Sequence, residues 1–316
     1  MKYVQYINNL LKENVSKQSG AVLFGQNIDA ASCLSGLTKG LSLENDGLTI
    51  NTPNIENSLV GTGFGLMLNA VSSVFFMKQQ DFLLLGIDQI VNTYNIIRQG
   101  QPSASFTIFP VTVDSGYDGP QSALNNLDDF CSIAGVDGFS FTNKADADRI
   151  ISNYLFKPGF RILSTGQRLL QQVTLDLQII DEDPDCNYFQ YKAGDDVSIV
   201  CFNHALHYGL ELFEAMLKQG VNPSLFSVNS HLNAEFDQVV NDLNNTGRLI
   251  LIDDTKSKNR LSDRFLLHVL NSCTLNKIIV VSPLSSNEKF YPCEDLLDID
   301  YTEITSSILA CINSFK

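Results

Sequence analysis

The sequence predicts an α/β protein built from two doubly wound domains. In both halves of the chain, short apolar runs that suit buried strands alternate with stretches of helical periodicity. Between the halves, residues 181–194 are polar and acidic and contain Pro184, which is typical of a linker. We therefore expect a first domain over residues 1–180, a linker over 181–194 and a second domain over 195–316.

The elements of the first half follow from apolar periodicity and its breakers. Residues 60–77 suit a long helix or a helix that leads into a strand, and Pro53 ends the strand before them. The other predicted elements are a helix over 4–11, strands over 21–24 and 48–50, a helix over 82–98 and a strand over 105–113. Strands separated by helices favour a parallel sheet covered on both faces.

The second half repeats this architecture without a convincing repeat of sequence. Its predicted strands cover residues 197–202, 225–228, 248–252 and 277–281, and its predicted helices cover 206–218 and 235–244. This order indicates a smaller doubly wound unit.

Composition excludes several classes of function. The chain has 21 basic and 35 acidic residues, a net charge of −14, which repels phosphate backbones and anionic lipid headgroups. We expect no nucleic-acid partner and no membrane partner, because no apolar stretch reaches the roughly 20 residues of a membrane helix. The first residues resemble neither an export signal nor a transit peptide, so we expect a cytoplasmic protein.

Cysteine and histidine usage gives no metal site. The 7 cysteines are scattered without a C-x-x-C pair, which indicates reduced thiols rather than a zinc knuckle or a disulfide framework. All 4 histidines lie in the second half. His204 and His207 have no third ligand nearby and are interpreted as structural, and His231 as a surface or interface residue.

One carboxylate, Glu56, precedes the mostly apolar helical stretch that begins near Val60. Taken alone, it is a helix-start carboxylate that offsets the macrodipole. Its surroundings give it a second interpretation.

Several segments resemble, in order and spacing, the beta subunits of pyruvate and branched-chain 2-oxoacid dehydrogenases. They are residues 38–41, 51–61, 88–92, 194–200 and 246–249, so the resemblance covers nearly the whole chain. It implies a pyrimidine-binding domain of the thiamine-diphosphate enzymes followed by a domain like the carboxyl-terminal domain of transketolase.

The resemblance also implies a thiamine-diphosphate site shared between two chains. Glu56 falls on the family's catalytic glutamate, which shares a proton with a ring nitrogen of the cofactor, and Phe82 falls where an aromatic residue stacks on the pyrimidine. Asn54 and Lys78 match weaker family contacts to the cofactor. Lys78 stands where the family usually has an uncharged residue.

The diphosphate side of such a site is missing from the sequence. Nothing resembles the Gly-Asp-Gly plus Asn motif that holds magnesium and the diphosphate, and Gly61, Gly63 and Gly65 lack the Lys-Ser/Thr of a phosphate loop. The resemblance therefore implies an alpha-type partner subunit that carries this motif with Mg²⁺, in an assembly of two alpha and two beta chains.

The loop over residues 116–124 departs from the family pattern. The family and the related transketolases have a histidine there that contacts the substrate or the acyl intermediate, and here Gln121 takes its place, while Asp118-Gly119-Pro120 is closer to transketolase. An amide cannot shuttle protons near neutral pH. This leaves open a changed substrate bound by Gln121, a histidine supplied by the partner, or a loss of activity.

The predicted function is cleavage or formation of a carbon–carbon bond next to a carbonyl, as in 2-oxoacid decarboxylation or two-carbon ketol or acyl transfer, by a subunit that needs its partner. Two alternatives remain: the carboxyl-terminal subunit of a split transketolase acting on sugars, and a catalytically silent scaffold.

Overall fold

Two six-stranded sheets form the framework of the computed structural model. The structure describes residues 1–44, 46–115, 119, 121–122, 124–232, 236–283 and 297–314. Each sheet is flanked by helices, which confirms the prediction of two doubly wound α/β units.

The first sheet is parallel throughout, in the order β2-β1-β3-β4-β6-β5. Its strands are β1 (Val22–Gly25), β2 (Leu48–Asn51), β3 (Ser73–Met77), β4 (Ser105–Thr112), β5 (Asp137–Ser140) and β6 (Gly159–Gly166). The α-helices around it are α1 (Tyr3–Ser16), α2 (Glu56–Leu68), α3 (Asn95–Ile97), α4 (Leu127–Ala134) and α5 (Lys144–Tyr154). Every residue of β3 and β4 is buried, as expected for strands covered on both faces.

Strand β2 is the exception to this burial. It forms one edge of the sheet, and all four of its residues are exposed, with Leu48 at 56% and Ile50 at 43%. The outer edge of β2 is therefore not paired with any other described strand, and the strand carries exposed apolar side chains.

The predicted helix over residues 82–98 is irregular in the structure. It consists of a 3₁₀-helix over Gln80–Leu85, a π-helix over Gln89–Tyr94, the short α3 and a 3₁₀-helix over Arg98–Gly100. A Cβ atom at Gly86 would lie 2.7 Å from Cγ2 of Val60, so this segment packs against α2 too closely for a regular helix with larger side chains.

The second sheet has the order β12-β11-β9-β10-β8-β7. Its strands are β7 (Asp181–Glu182), β8 (Tyr188–Lys192), β9 (Val197–Phe202), β10 (Pro223–Val228), β11 (Arg248–Asp253) and β12 (Lys277–Val281), and its helices are α6 (Leu206–Lys218), α7 (Asp237–Thr246), α8 (Leu261–Ser272) and α9 (Tyr301–Ser314). Strands β9 to β12 are parallel, whereas β8 and β7 are added antiparallel at one edge. Most of the segment expected as a linker thus belongs to the second sheet, and we propose that the second domain begins before β7.

The two domains share a hydrophobic cluster that includes Phe141 of the first domain and Tyr191 of the second. Polar contacts also cross the boundary between the domains, which is here called the seam. Backbone hydrogen bonds cross it from Ser140 N to Asn229 O and from His231 N to Gly138 O, both 2.9 Å long.

In the described parts of the chain, no helix combines the length and apolar character that crossing a bilayer requires.

Candidate cofactor cleft

A small cleft, partly open to solvent, lies at the carboxyl ends of β1 and β3. The chain leaves β1 toward β2 on one side and leaves β3 toward β4 on the other, so the cleft occupies a topological switch point, the usual ligand site of a parallel sheet. Its lining residues are Gln26, Pro53, Asn54, Glu56, Leu59, Phe75, Phe76, Met77, Lys78, Gln79 and Phe82. Four of the five predicted site residues therefore share one cleft.

Glu56 is the first residue of α2 and is 8% exposed. The helix macrodipole favours a carboxylate at this end. Among the described residues, no hydrogen bond or ion pair involves its side chain. A nearly buried carboxylate without a protein partner faces the cleft, which suits a ligand that brings its own hydrogen-bonding group.

Phe82 forms one wall of the cleft and is half-buried against the apolar cluster beneath α2. It belongs to the 3₁₀-helix that begins at Gln80, whose side chain is fully buried. Gln80 Oε1 accepts hydrogen bonds from Thr112 Oγ1 (2.9 Å) and Ser164 Oγ (2.8 Å), at the ends of β4 and β6. The sheet thereby fixes the backbone that presents the Phe82 ring.

Lys78 and Asn54 are exposed side chains at the rim. Lys78 follows β3 directly, and Asn54 precedes α2. Lys78 and Glu56 are the charged members of the lining, so the described part of the cleft carries one positive and one negative group.

Gln121 lies behind this wall, outside the cleft lining. Its Nε2 donates a hydrogen bond to the Asp81 carbonyl oxygen (3.3 Å). The amide therefore contacts the segment that carries Phe82. Its loop neighbours Asp118 and Pro120 lie outside the described residues.

The sequence interpretation missed Gln26 and Gln79 in the lining and the buried Gln80 and Asp81 beside it. A signal was present in the run of polar residues 78–81 directly after the buried strand β3, where parallel strands place functional side chains.

Buried charges concentrate at the seam rather than in the cleft. Arg168 forms ion pairs with Asp254 and, at 3.5 Å, with Asp114. Burial raises the pKa of Asp114 to about 6, although Arg168 opposes the shift. Burial alone would raise the pKa of Asp254, but the charge of Arg168, its hydrogen bond and the neighbouring His204 and His207 together lower it.

The three histidines singled out in the sequence are also at or near the seam. His231 Nδ1 lies 2.6 Å from Asp128 Oδ1, and its Nε2 lies 2.9 Å from Ser140 Oγ, with all three side chains buried. This contact joins the domains and offers no access to a substrate. Burial lowers the pKa of His204 to about 3 and that of His207 to about 4, so both are neutral near pH 7.

The described residues hold no group of three or more His, Cys, Asp or Glu side chains that could bind a metal ion. Gly63 does not face a phosphate or a second subunit, because a Cβ atom there would come within 2.2 Å of the Phe106 ring in β4. The close approach at Gly63 is therefore a contact within the chain.

Comparisons with known proteins agree with the resemblance seen in the sequence. The chain is 20% identical over 291 residues to the 2-oxoisovalerate dehydrogenase subunit beta of Bacillus subtilis, covering 83% of this chain and 82% of the relative. It is 20% identical over 308 residues to the pyruvate dehydrogenase E1 component subunit beta of Staphylococcus aureus, covering 92% and 91%. No protein-family model matches the chain.

Solved structures show the same fold. A split-gene transketolase, described as an inactive beta4 tetramer, superposes with a TM-score of 0.63 at 12% identity over 99% of this chain and 95% of that one. Transketolase from Campylobacter jejuni gives a TM-score of 0.66 at 13% identity, over 99% of this chain and 46% of that longer chain. The chain is a divergent relative of the beta subunits of 2-oxoacid dehydrogenases, with the fold of the transketolases.

Proposed function

We propose that this chain is the pyrimidine-side subunit of a heteromeric thiamine-diphosphate enzyme that cleaves or forms a carbon–carbon bond next to a carbonyl. The proposal rests on the environment of Glu56. This nearly buried carboxylate has no hydrogen-bond or ion-pair partner among the described residues, and it faces the same cleft as the Phe82 ring. These residues fit an aminopyrimidine, which needs one hydrogen-bonding acid and one aromatic surface. When bound, thiamine diphosphate supplies the electron sink for the reaction.

In this role each side chain has one task. The Glu56 carboxyl group forms a hydrogen bond with a ring nitrogen of the cofactor, through which a proton is exchanged. Phe82 offers its ring face, and the fixed backbone from Gln80 onward keeps that face in place. Asn54 and Lys78 contribute polar contacts from the rim.

A second polypeptide completes the site in this proposal. The charged residues of the lining are Glu56 and Lys78, which leaves a diphosphate with its magnesium ion largely uncompensated. Large apolar side chains flank the same region, with Ile55 exposed at 47%, Leu84 at 43% and Leu85 at 54%. Exposed apolar groups around a cleft support a partner that covers them.

The hydrogen bond of Gln121 bears on the proton transfers of the reaction. Its amide is directed to the Asp81 carbonyl and cannot move protons near neutral pH. Two-carbon ketol transfer and acyl transfer both require proton transfers at the substrate, so for either reaction type groups other than Gln121 must perform them.

The test is co-expression with a chain that carries the diphosphate motif. Turnover is measured as carbon dioxide release from 2-oxoacids and as transfer from ketose phosphates, for the wild type, Glu56→Gln and the control Glu13→Gln. Glu13 is exposed and pairs with Lys17, so its variant should match the wild type. Glu56→Gln should lose at least about a hundredfold in turnover. Unchanged turnover in Glu56→Gln would refute the proposal and support the silent scaffold.

A further inference from the structure

The segment over residues 121–125 connects the cleft to the second domain. At the cleft, Ser122 Oγ donates to Gln79 Oε1 (3.3 Å), and the Leu124 amide donates to Asp81 Oδ1 (3.1 Å). The Gln121 side chain binds the Asp81 carbonyl. These contacts attach the segment to residues 79–82, of which Gln79 and Phe82 line the cleft.

The next residue, Asn125, is held by the second domain. Its Nδ2 donates to the Asp254 carbonyl (2.7 Å), and its Oδ1 accepts from Asn203 Nδ2 (2.9 Å). Its own carbonyl accepts from Thr255 Oγ1 (2.8 Å) and from the Lys256 amide (2.9 Å). Both the side chain and the backbone of Asn125 are therefore fixed by residues of another domain.

The backbone of Asn125 is left-handed, with a φ of 43°, and so is that of its partner Asn203, with a φ of 58°. Both side chains are buried, at 1% and 3% exposure. Residues other than glycine keep this conformation only where their surroundings impose it, and asparagine tolerates it better than most. The hydrogen bond between Asn125 and Asn203 therefore joins two residues, one on each side of the seam, whose surroundings impose an unusual backbone conformation.

We propose that Asn125 is a positioning residue through which the second domain sets the geometry of the cleft wall at residues 79–82. None of the described residues that line the cleft belongs to the second domain, and this contact gives that domain an influence on the site. The inference rests on the proposed function for what the cleft binds, but the mechanical coupling is independent of it.

Hydrogen exchange of the isolated chain tests the coupling. Asn125→Gly keeps the left-handed backbone accessible and removes both side-chain hydrogen bonds. We expect the Leu124 amide, and the Gly86 amide bonded to the Leu83 carbonyl (2.9 Å), to exchange about fivefold faster or more, the factor for one lost hydrogen bond. Thr255→Val removes the Oγ1 bond to the Asn125 carbonyl and the contacts of the same hydroxyl with Ser257, but it leaves the side-chain bonds of Asn125 in place, so it should give a smaller increase in the same amides. It serves as the test if Asn125→Gly does not fold.

Asn229→Ala is the matched control. Asn229 is a fully buried seam asparagine whose Nδ2 donates to Ser140 O (2.8 Å), away from the loop. It should lower global stability without selective exchange at Leu124 or Gly86. Equal increases in Asn229→Ala and Asn125→Gly, or unchanged exchange in the foldable Asn125 and Thr255 variants, would overturn the inference.

The assembled complex gives a second measurement. Asn125→Gly should raise the thiamine-diphosphate concentration for half-maximal activity about fivefold and retain most of the turnover at saturation. Glu56→Gln should lose turnover at every cofactor concentration. Full turnover in Glu56→Gln would refute the proposed function and leave the exchange result standing, whereas unchanged exchange refutes the coupling whatever the turnover.

Discussion

Arg168 of the first domain and Asp254 of the second form an ion pair across the seam that is almost fully shielded from solvent, with side-chain exposures of 6% and 0%. The same guanidinium also lies 3.5 Å from the buried carboxylate of Asp114. One cation thus serves two carboxylates. Its removal leaves buried negative charge without compensation, which is among the costliest single changes in a protein.

Arg168→Met should therefore lower the free energy of unfolding by about 3–5 kcal/mol, measured by urea denaturation. The control is Arg149→Met, because Arg149 pairs with Glu182 at an exposed site, with side chains 56% and 33% exposed. That loss should stay below about 1 kcal/mol. Equal effects of the two variants would contradict the role of the buried pair.

Asp146 makes stability depend on pH near neutrality. Burial raises its pKa to about 7, against hydrogen bonds from the Asn143 and Thr142 amides and from Tyr191 and Asn229. A carboxyl whose pKa is raised in the folded state stabilises fully below its unfolded pKa and loses that contribution as the pH rises through the folded pKa.

We therefore expect this group to cost about 1.4 kcal/mol of stability for each pH unit between its unfolded pKa, about 4, and its folded pKa of about 7, and nothing further at higher pH. Urea denaturation of the wild type and of Asp146→Asn at several pH values isolates its contribution as the difference between the two slopes. Between about pH 4 and pH 7 the wild type should lose stability with rising pH faster than Asp146→Asn, and above about pH 8 the two slopes should be equal. Parallel slopes between about pH 4 and pH 7 would contradict this prediction.

Glu56 should matter little to the stability of the isolated chain. Glu56 is 8% exposed, and its carboxylate has no hydrogen-bond or ion-pair partner among the described residues. Glu56→Gln therefore removes a poorly solvated charge without breaking a hydrogen bond or ion pair of the described structure. Thermal unfolding should show an unchanged or higher melting temperature. A loss beyond about 1 kcal/mol would reveal a structural partner and weaken the assignment to cofactor binding.

Two glycines of α2 should respond in opposite ways to alanine. A Cβ atom at Gly63 would lie 2.2 Å from the Phe106 ring, whereas one at Gly65 meets nothing within 4 Å. Gly63→Ala should destabilise by about 1–3 kcal/mol through overpacking, and Gly65→Ala should stabilise by up to about 1 kcal/mol through helix propensity. Urea denaturation of the two variants of the isolated chain gives both values, and equal signs would contradict the packing of α2 on β4.

The predictions from sequence were most accurate where local periodicity decides the structure. Strand β9 and helix α6 begin and end at the residues expected, because a run of buried apolar residues and an amphipathic repeat are both local signals. The irregular helices after Gln80 were not foreseen, since the apolar residues over 82–98 suit a regular helix and local periodicity does not reveal 3₁₀ or π segments. The pairing of β8 with β10 was missed for a similar reason, because it depends on a distant strand.

The functional site was likewise predicted only in part from the sequence. Glu56, Phe82, Asn54 and Lys78 were named through a resemblance in sequence, and the structure brings them to one cleft. The seam could not be predicted in this way. Contacts such as Asp128 with His231 join residues 103 positions apart, and no local pattern marks them.

The open edge of β2 has a practical consequence for anyone who produces this polypeptide by itself. Free amide and carbonyl groups along such an edge accept a strand from a neighbouring molecule, and the exposed Leu48 and Ile50 add apolar area to that encounter. We therefore expect the four residues of the edge strand β2, as well as the packing of the hydrophobic core, to determine the yield and monodispersity of a preparation.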